Sequence, residues 1–222
     1  TLPIFKGGSI ARISGHVEGA TALSGIITAT VRDSRELITC RLNDATEADS
    51  AFQYYDRTKV LFNGADSIKT GKFAFSFAVP KDINYSDGTG LINLYAVNND
   101  KTITANGHSD HFKVGGSDVA DNDSIGPAIY CYLNSPSFEN GGNVNTTPYF
   151  VAQVKDENGI NVTGSGIGHN LELIIDGNAT MTYDLNDNFN FDFGTYKSGT
   201  TYYNIPELTE GRHKLQFRAW DI

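Results

Sequence analysis

Helix signal is what this chain of 222 residues has least of. No ten-residue window sets apolar side chains at the 3.6-residue period of an amphipathic helix, which excludes alternating βαβ units. No apolar run approaches the roughly 18 residues of a spanning helix, so no segment is expected to cross a membrane in that form. Positive charge is scarce: Lys and Arg number 17 against 26 Asp and Glu, a formal net charge of -9. Nucleic acid is thereby excluded as a partner, because a phosphate-binding surface needs clustered Lys and Arg, whereas Lys81, Lys101 and Lys155 stand singly. Cysteine is limited to Cys40 and Cys131, one in each half of the sequence, and a disulfide framework is excluded with it. Their apolar strand neighbours predict two buried free thiols. Catalytic signatures are missing too: there is no GxSxG elbow, no HExxH and no glycine loop opening a helix to cradle phosphate.

What remains is a turn-rich β sequence with 23 Gly, 13 Phe and 11 Tyr. ARISGHVEG alternates, with Ala11, Ile13, Gly15 and Val17 on one face. SGIITATVRD sets Ile27, Ala29 and Val31 inward, ELITCRL offers Ile38, Cys40 and Leu42, and GKFAFSFAVP aligns Phe73, Phe75, Phe77 and Val79. Pro80 ends that last strand, since proline cannot donate to a ladder. LINLYAVNN and HFKVGG complete the first half, and residues 43–56 interrupt it as a polar loop or one short helix. PAIYCYLN, TPYFVAQVKD, NLELIIDG, ATMTYDL, NFNFDF, TTYYNIP and RHKLQFRAW follow at short intervals with Gly, Asn or Asp between them. Many short strands with frequent turns indicate an all-β fold of two tandem antiparallel immunoglobulin-like sandwiches. The predicted division is residues 1–116, an acidic linker 117–124 read from GGSDVADNDS, and residues 125–222.

Strict alternation runs to the end of the sequence, with His213, Leu215, Phe217 and Ala219 opposite Arg212, Lys214, Gln216 and Arg218. The start, TLPIFKGG, has neither the basic n-region nor the apolar core of a signal peptide. Together these predict a piece of a longer protein, ending on a sheet edge open to pairing by a neighbouring molecule.

The candidate sites are few. Asp118, Asp121 and Asp123 at the predicted joint, with Asp156 and Glu157 of KDENG, offer the oxygen ligands calcium takes, or else form a bare solvated linker. His108 and His111, with Asp110 between them, have metal-like spacing but diverge on a loop that enters a strand. Tyr202 and Tyr203, with Tyr54, Tyr55, Tyr183 and Tyr196, are candidates for stacking on sugar rings, which suits a carbohydrate-binding or adhesin module. Asp66-Ser67-Ile68 and Asp123-Ser124-Ile125 match a short O-glycan acceptor pattern. No cofactor other than possible calcium is expected.

VPKDINY, the IGP that opens the second half, DENGIN, GIGH and LTEGRHKLQFRAWD occur in this order over most of the chain. In these pieces the chain resembles the C-terminal β-domain region of the type IX secretion sortases of Bacteroidetes, members of the gingipain-like cysteine peptidase superfamily. The resemblance implies a parent enzyme whose catalytic Cys and His lie in a caspase-like α/β domain upstream. It implies that the parent removes the C-terminal signal of secreted cargo at the outer membrane surface and joins the new end to an anionic lipopolysaccharide. No catalytic motif of that family falls on a residue of this chain, and His169 of GIGH is read as a turn residue. The implied role is a non-catalytic scaffold in the cell envelope, with the upstream domain and other secretion proteins as partners.

Overall fold

The computed structural model describes residues 1–43, 46, 49–118, 125–164 and 168–222. Period-two alternation dictates what forms. β1 (Ile4–Gly7), β2 (Ile10–His16), β3 (Gly25–Arg32), β4 (Glu36–Thr39), β5 (Gln53–Asp56), β6 (Val60–Ile68), β7 (Lys72–Ala78), β8 (Leu91–Asn98), β9 (Thr104–Ser109) and β10 (Lys113–Ser117) make the first half. β11 (Ala128–Leu133), β12 (Tyr149–Lys155), β13 (Glu172–Ile175), β14 (Thr182–Asp184), β15 (Asn190–Phe191), β16 (Ser198–Asn204) and β17 (Leu215–Arg218) make the second. Only two single-turn 3-10 segments, Ala179–Met181 and Asn186–Asn188, are helical among the described residues.

In the first half a sheet of order β6-β3-β8-β9 faces the antiparallel pair β2-β7 and the parallel pair β1-β10. Phe73, Phe75 and Phe77 alternate inward from β7, as their spacing predicts, and Phe77 is fully buried. Phe5 reaches Phe77 and Phe112 at 5.8 and 4.6 Å between ring centroids, so the β1-β10 pair is tied to the core by its aromatic side chains. A glycine serves one of these contacts: the Phe73 ring lies over Gly15, its cross-strand partner, where a Cβ would come within 2.4 Å of the ring. The chain changes sheets between β6 and β7 through Thr70 and Gly71, both at positive φ (49° and 71°), the backbone form of a tight hairpin turn. Asp33 is fully buried and accepts backbone N–H bonds from Ser34 and Asn84, both at 2.6 Å, which pin the 80s loop. Burial nonetheless holds its carboxyl above the ordinary aspartate range.

The second half is a four-stranded sheet, β11-β12-β16-β15, over a three-stranded one, β14-β13-β17. Leu171, Leu173, Ile175 and Leu185 fill its centre without exposure. β17 lies at the edge of its sheet, and its predicted alternation holds: Leu215 and Phe217 are half-buried, Gln216 and Arg218 exposed.

One apolar cluster runs through both halves. Phe62 of β6 is its hub, stacking at 5.6 Å on Phe75, 5.3 Å on Phe77 and 5.1 Å on Phe191 of the second half. Beside it Asn63 donates to the Asn190 side chain (3.1 Å) and the backbone N–H of Gly194 donates to the Ala65 carbonyl (2.9 Å).

Two expectations need correcting. Cys40 and Cys131 are exposed, not buried. Among the described residues β4 and β5 pair only with each other, as a two-stranded ribbon, and Cys40 and Leu42 beside it stay exposed. Cys131 lies on edge strand β11, beyond the cover of the three-stranded sheet, although its surroundings still raise the thiol's pKa by desolvation. His108 belongs to strand β9, paired with Asn93, and not to a loop.

Candidate functional site

The sequence pieces that carry the family resemblance meet in space. Asp82 of VPKDINY, in the first half, accepts from Asn161 Nδ2 of DENGIN at 2.6 Å and pairs with His169 Nδ1 of GIGH at 2.9 Å. Asn161 is buried, and its backbone N–H donates to the Trp220 carbonyl at 2.9 Å. The Trp220 ring, from RHKLQFRAWD, lies 5.0 Å from the His169 ring, and its indole N–H donates to the Asn170 carbonyl at 3.2 Å. Lys59 Nζ donates to the Asp82 carbonyl at 3.1 Å. A buried amide, a carboxylate, an imidazole and an indole thus form one polar knot beside the apolar hub. His169 is bound into this knot, which fixes one half against the other. Thr163 joins it through its hydroxyl, which donates to Asn161 Oδ1 at 2.8 Å.

The nearest thing to a catalytic constellation lies elsewhere. A groove of about 810 Å³ is lined by Cys131, Leu133, Phe138, Phe150, Leu208 and His213, among others. His213 Nδ1 pairs with Asp176 Oδ2 at 2.7 Å, a Cys/His/Asp combination on paper. A cysteine nucleophile needs a free imidazole nitrogen as base and a lowered thiol pKa. Here His213 Nε2 is bound to the Thr209 carbonyl at 2.8 Å, so both ring nitrogens meet acceptors. The Asp176 side chain first, and the Thr209 carbonyl second, push the His213 pKa up. Desolvation moves Cys131 the wrong way for a nucleophile. The trio is a clamp on the 209–214 turn.

The tyrosines separate by face. Tyr202 of β16 is 43% exposed and lies 5.9 Å from Tyr149, while Tyr130 and Tyr132 of β11 lie 5.7 Å apart on the same side of the sheet. The register sets Tyr132 and Tyr202 on either side of Val151, which they flank. Tyr203 points the other way, packing on the core and on Tyr183 at 4.7 Å. Of the predicted pair, therefore, only Tyr202 belongs to an outer aromatic face, and period two already separates neighbours in a strand. Tyr130, Tyr132 and Tyr149 were not singled out by sequence, because they become one surface only through strand pairing.

A second exposed aromatic surface is the β4-β5 ribbon, where Leu37, Leu42, Phe52, Tyr54 and Tyr55 are all exposed and Phe52 stacks on Tyr54 at 6.0 Å. Such a two-stranded ribbon is marginal in water without something to pack on.

The acidic residues are dispersed. Asp121 and Asp123 lie outside the described residues, as does Ser124 of the second glycan pattern. Asp118 donates its backbone N–H to the Gly7 carbonyl at 2.9 Å. Asp156 is buried and accepts from the backbone N–H groups of Asn158 and Gly159, at 2.8 and 3.1 Å, closing the DENG turn. Exposed Glu157 pairs with Lys197 at 3.2 Å and with Lys155 at 3.7 Å, and Lys197 lowers its pKa most. Among the described residues no three His, Cys, Asp or Glu side chains gather as metal ligands, His108, Asp110 and His111 included. Ser67 of the first glycan pattern is bonded to Asp66 within paired strand β6. No helix is long and apolar enough to cross a membrane.

No family model and no curated protein matches this chain. Among solved structures it is similar to dimeric latent PorU from Porphyromonas gingivalis, with 36% sequence identity and a TM-score of 0.54. The match covers 100% of this chain and 21% of PorU, so the chain is related to a segment about one fifth as long as that protein.

Proposed function

We propose that this chain is a non-catalytic β-sandwich module of a type IX secretion sortase, a scaffold that holds the parent's catalytic domain in place at the outer membrane surface and docks other secretion components. The observation that carries the reading is the 36% identity to PorU along the whole chain against 21% of that protein, a likeness to one part of a larger molecule. The knot of Asp82, Asn161, His169 and Trp220 supports it, because the residues that resemble the family are used to brace one half on the other. The chemistry of the described residues supports it: both His213 ring nitrogens meet acceptors, and among the described residues neither exposed thiol has a histidine hydrogen bond. The uncovered ribbon β4-β5 supplies a surface for docking. Calcium plays no part in the proposal, since Asp156 and Glu157 already have protein partners.

Deleting this stretch in frame from the parent gene is expected to leave cargo unprocessed while the catalytic domain still folds and reaches the envelope. Normal cargo processing by the deletion would sink the scaffold reading. Release of a cargo's C-terminal signal by the isolated chain would end the non-catalytic one.

The tyrosine face favours a second reading, a carbohydrate-binding module, because rings at sheet spacing stack on sugar faces. Glycan-array binding lost in Tyr202→Ala and kept in Tyr54→Ala would support it, and silence of the wild type would remove it.

A further inference from the structure

Three arginines from two segments converge on one cleft between the halves. Arg32 ends β3, Arg35 follows it before β4, and Arg57 follows β5; the opposite wall brings Asn186, Asp187 and Phe189 from the second half. The cleft holds about 950 Å³, at the upper end of the range for small-ligand sites. In a chain of net charge -9 this grouping of cations runs against the overall balance.

Their charges are poorly satisfied within the protein. Among the described residues none of the three forms an ion pair within 4 Å, although Arg218 does. Arg57 Nη2 donates to the Thr89 carbonyl at 3.3 Å, while its Nε is buried with no hydrogen-bond partner. Desolvation and then the neighbouring Arg35 charge lower the Arg57 pKa, and Asp110 and Asp56 only partly offset them. The nearby carboxylates are engaged: Asp56 accepts from the backbone N–H of Arg57, and Glu36 accepts from the Thr58 hydroxyl.

We propose that this cleft binds an acidic peptide segment of a partner protein. Guanidinium forks match carboxylates in geometry as well as charge, and clusters of Arg are a recurring reader of acidic motifs. The lining decides against phosphate as the ligand: Asp56 and Asp187 share the walls, and a dianion would meet both. Carboxylates spaced along a chain instead reach separate arginines, with exposed Tyr55 for apolar contact. The binding concerns residues of this chain alone and holds whether or not the module serves a sortase.

The test is calorimetric titration of the whole 222-residue chain with a hexaglutamate peptide at low salt, with hexaglutamine and pyrophosphate as comparison probes. One-to-one binding of hexaglutamate is expected, weakening steeply with added salt. Arg35 is exposed, so Arg35→Ala should fold normally and weaken binding about tenfold or more, as loss of a charged hydrogen bond does. Arg212→Ala, on an exposed turn of the second half, should leave it unchanged. Absence of hexaglutamate binding, equal weakening by both variants, or binding of pyrophosphate in preference to the peptide would each overturn the proposal.

Discussion

Two regions, the core around β7 in the first half and the outer face of the four-stranded sheet in the second, use their aromatic residues in opposite directions. In the first, Phe5, Phe62, Phe73, Phe75, Phe77 and Phe112 meet inside the sandwich. In the second, Tyr130, Tyr132, Tyr149 and Tyr202 gather on the outside of a sheet, while Tyr203, one residue away, turns in. The difference follows from one hydroxyl. A phenyl ring gains most from complete burial, whereas a phenol must keep its oxygen hydrated or bonded, as Tyr130 does with the Pro136 carbonyl at 2.6 Å. The core of the first half therefore takes up its Phe rings, while the four-stranded sheet of the second keeps aromatic area at a surface, as the ribbon β4-β5 also does with Phe52, Tyr54 and Tyr55.

The comparison breaks most sharply at Phe62. Phe62→Ala removes stacking on both halves at once and is expected to cost about 3–5 kcal/mol, as buried Phe→Ala changes do. Calorimetry should show a single transition shifted downward; two transitions, of which only one moves, would mean that the halves do not share a core.

A smaller effect separates adjacent tyrosines. Tyr203→Ala, on the core side, is expected to cost about 2 kcal/mol, roughly half of a full aromatic burial, and Tyr202→Ala only about 0.5 kcal/mol. Equal losses in urea titrations would deny that the two rings lie on different faces.

The smallest effect is a pH profile. The His213 pKa is raised, so the clamp's contribution is full below the ordinary histidine value of about 6.5 and is lost as pH rises through the raised one. The Asp176 pKa is lowered, first by the His213 bond, so its contribution is present above about 3.9 and is lost as pH falls through the lowered value. The difference in Tm between wild type and His213→Ala should thus peak in mildly acidic buffer and shrink on both sides. A flat difference would rule out the charged clamp.

Much of this architecture was legible in the sequence, and the gaps have physical causes. β3 and β7 stand out because one face is buried and the other is not. β6 does not: Leu61 and Phe62 are adjacent and both buried, because the register with β3 shifts there by one residue, and this bulge breaks the period of two. The ribbon β4-β5 misleads in the reverse sense, since its apolar residues follow a core pattern and yet face no second sheet. Resemblance pointed to VPKDINY and GIGH, but not to the bond between Asp82 and His169, which are distant in sequence. The arginine cleft was invisible for the same reason: Arg57 joins Arg32 and Arg35 only when the β5 end folds against the end of β3.

The parallel pairing of β1 with β10 carries a mechanical consequence. β1 opens the first half and β10 leads toward the second, and the two strands run the same way. A pull that drags the start of β1 one way and the far end of β10 the other slides the strands along each other, straining their hydrogen bonds together and not one after another. Phe5, wedged between Phe77 and Phe112, must leave its pocket before the strands can slip. Tension across the module therefore meets its stiffest resistance at this pair, as a shear lock.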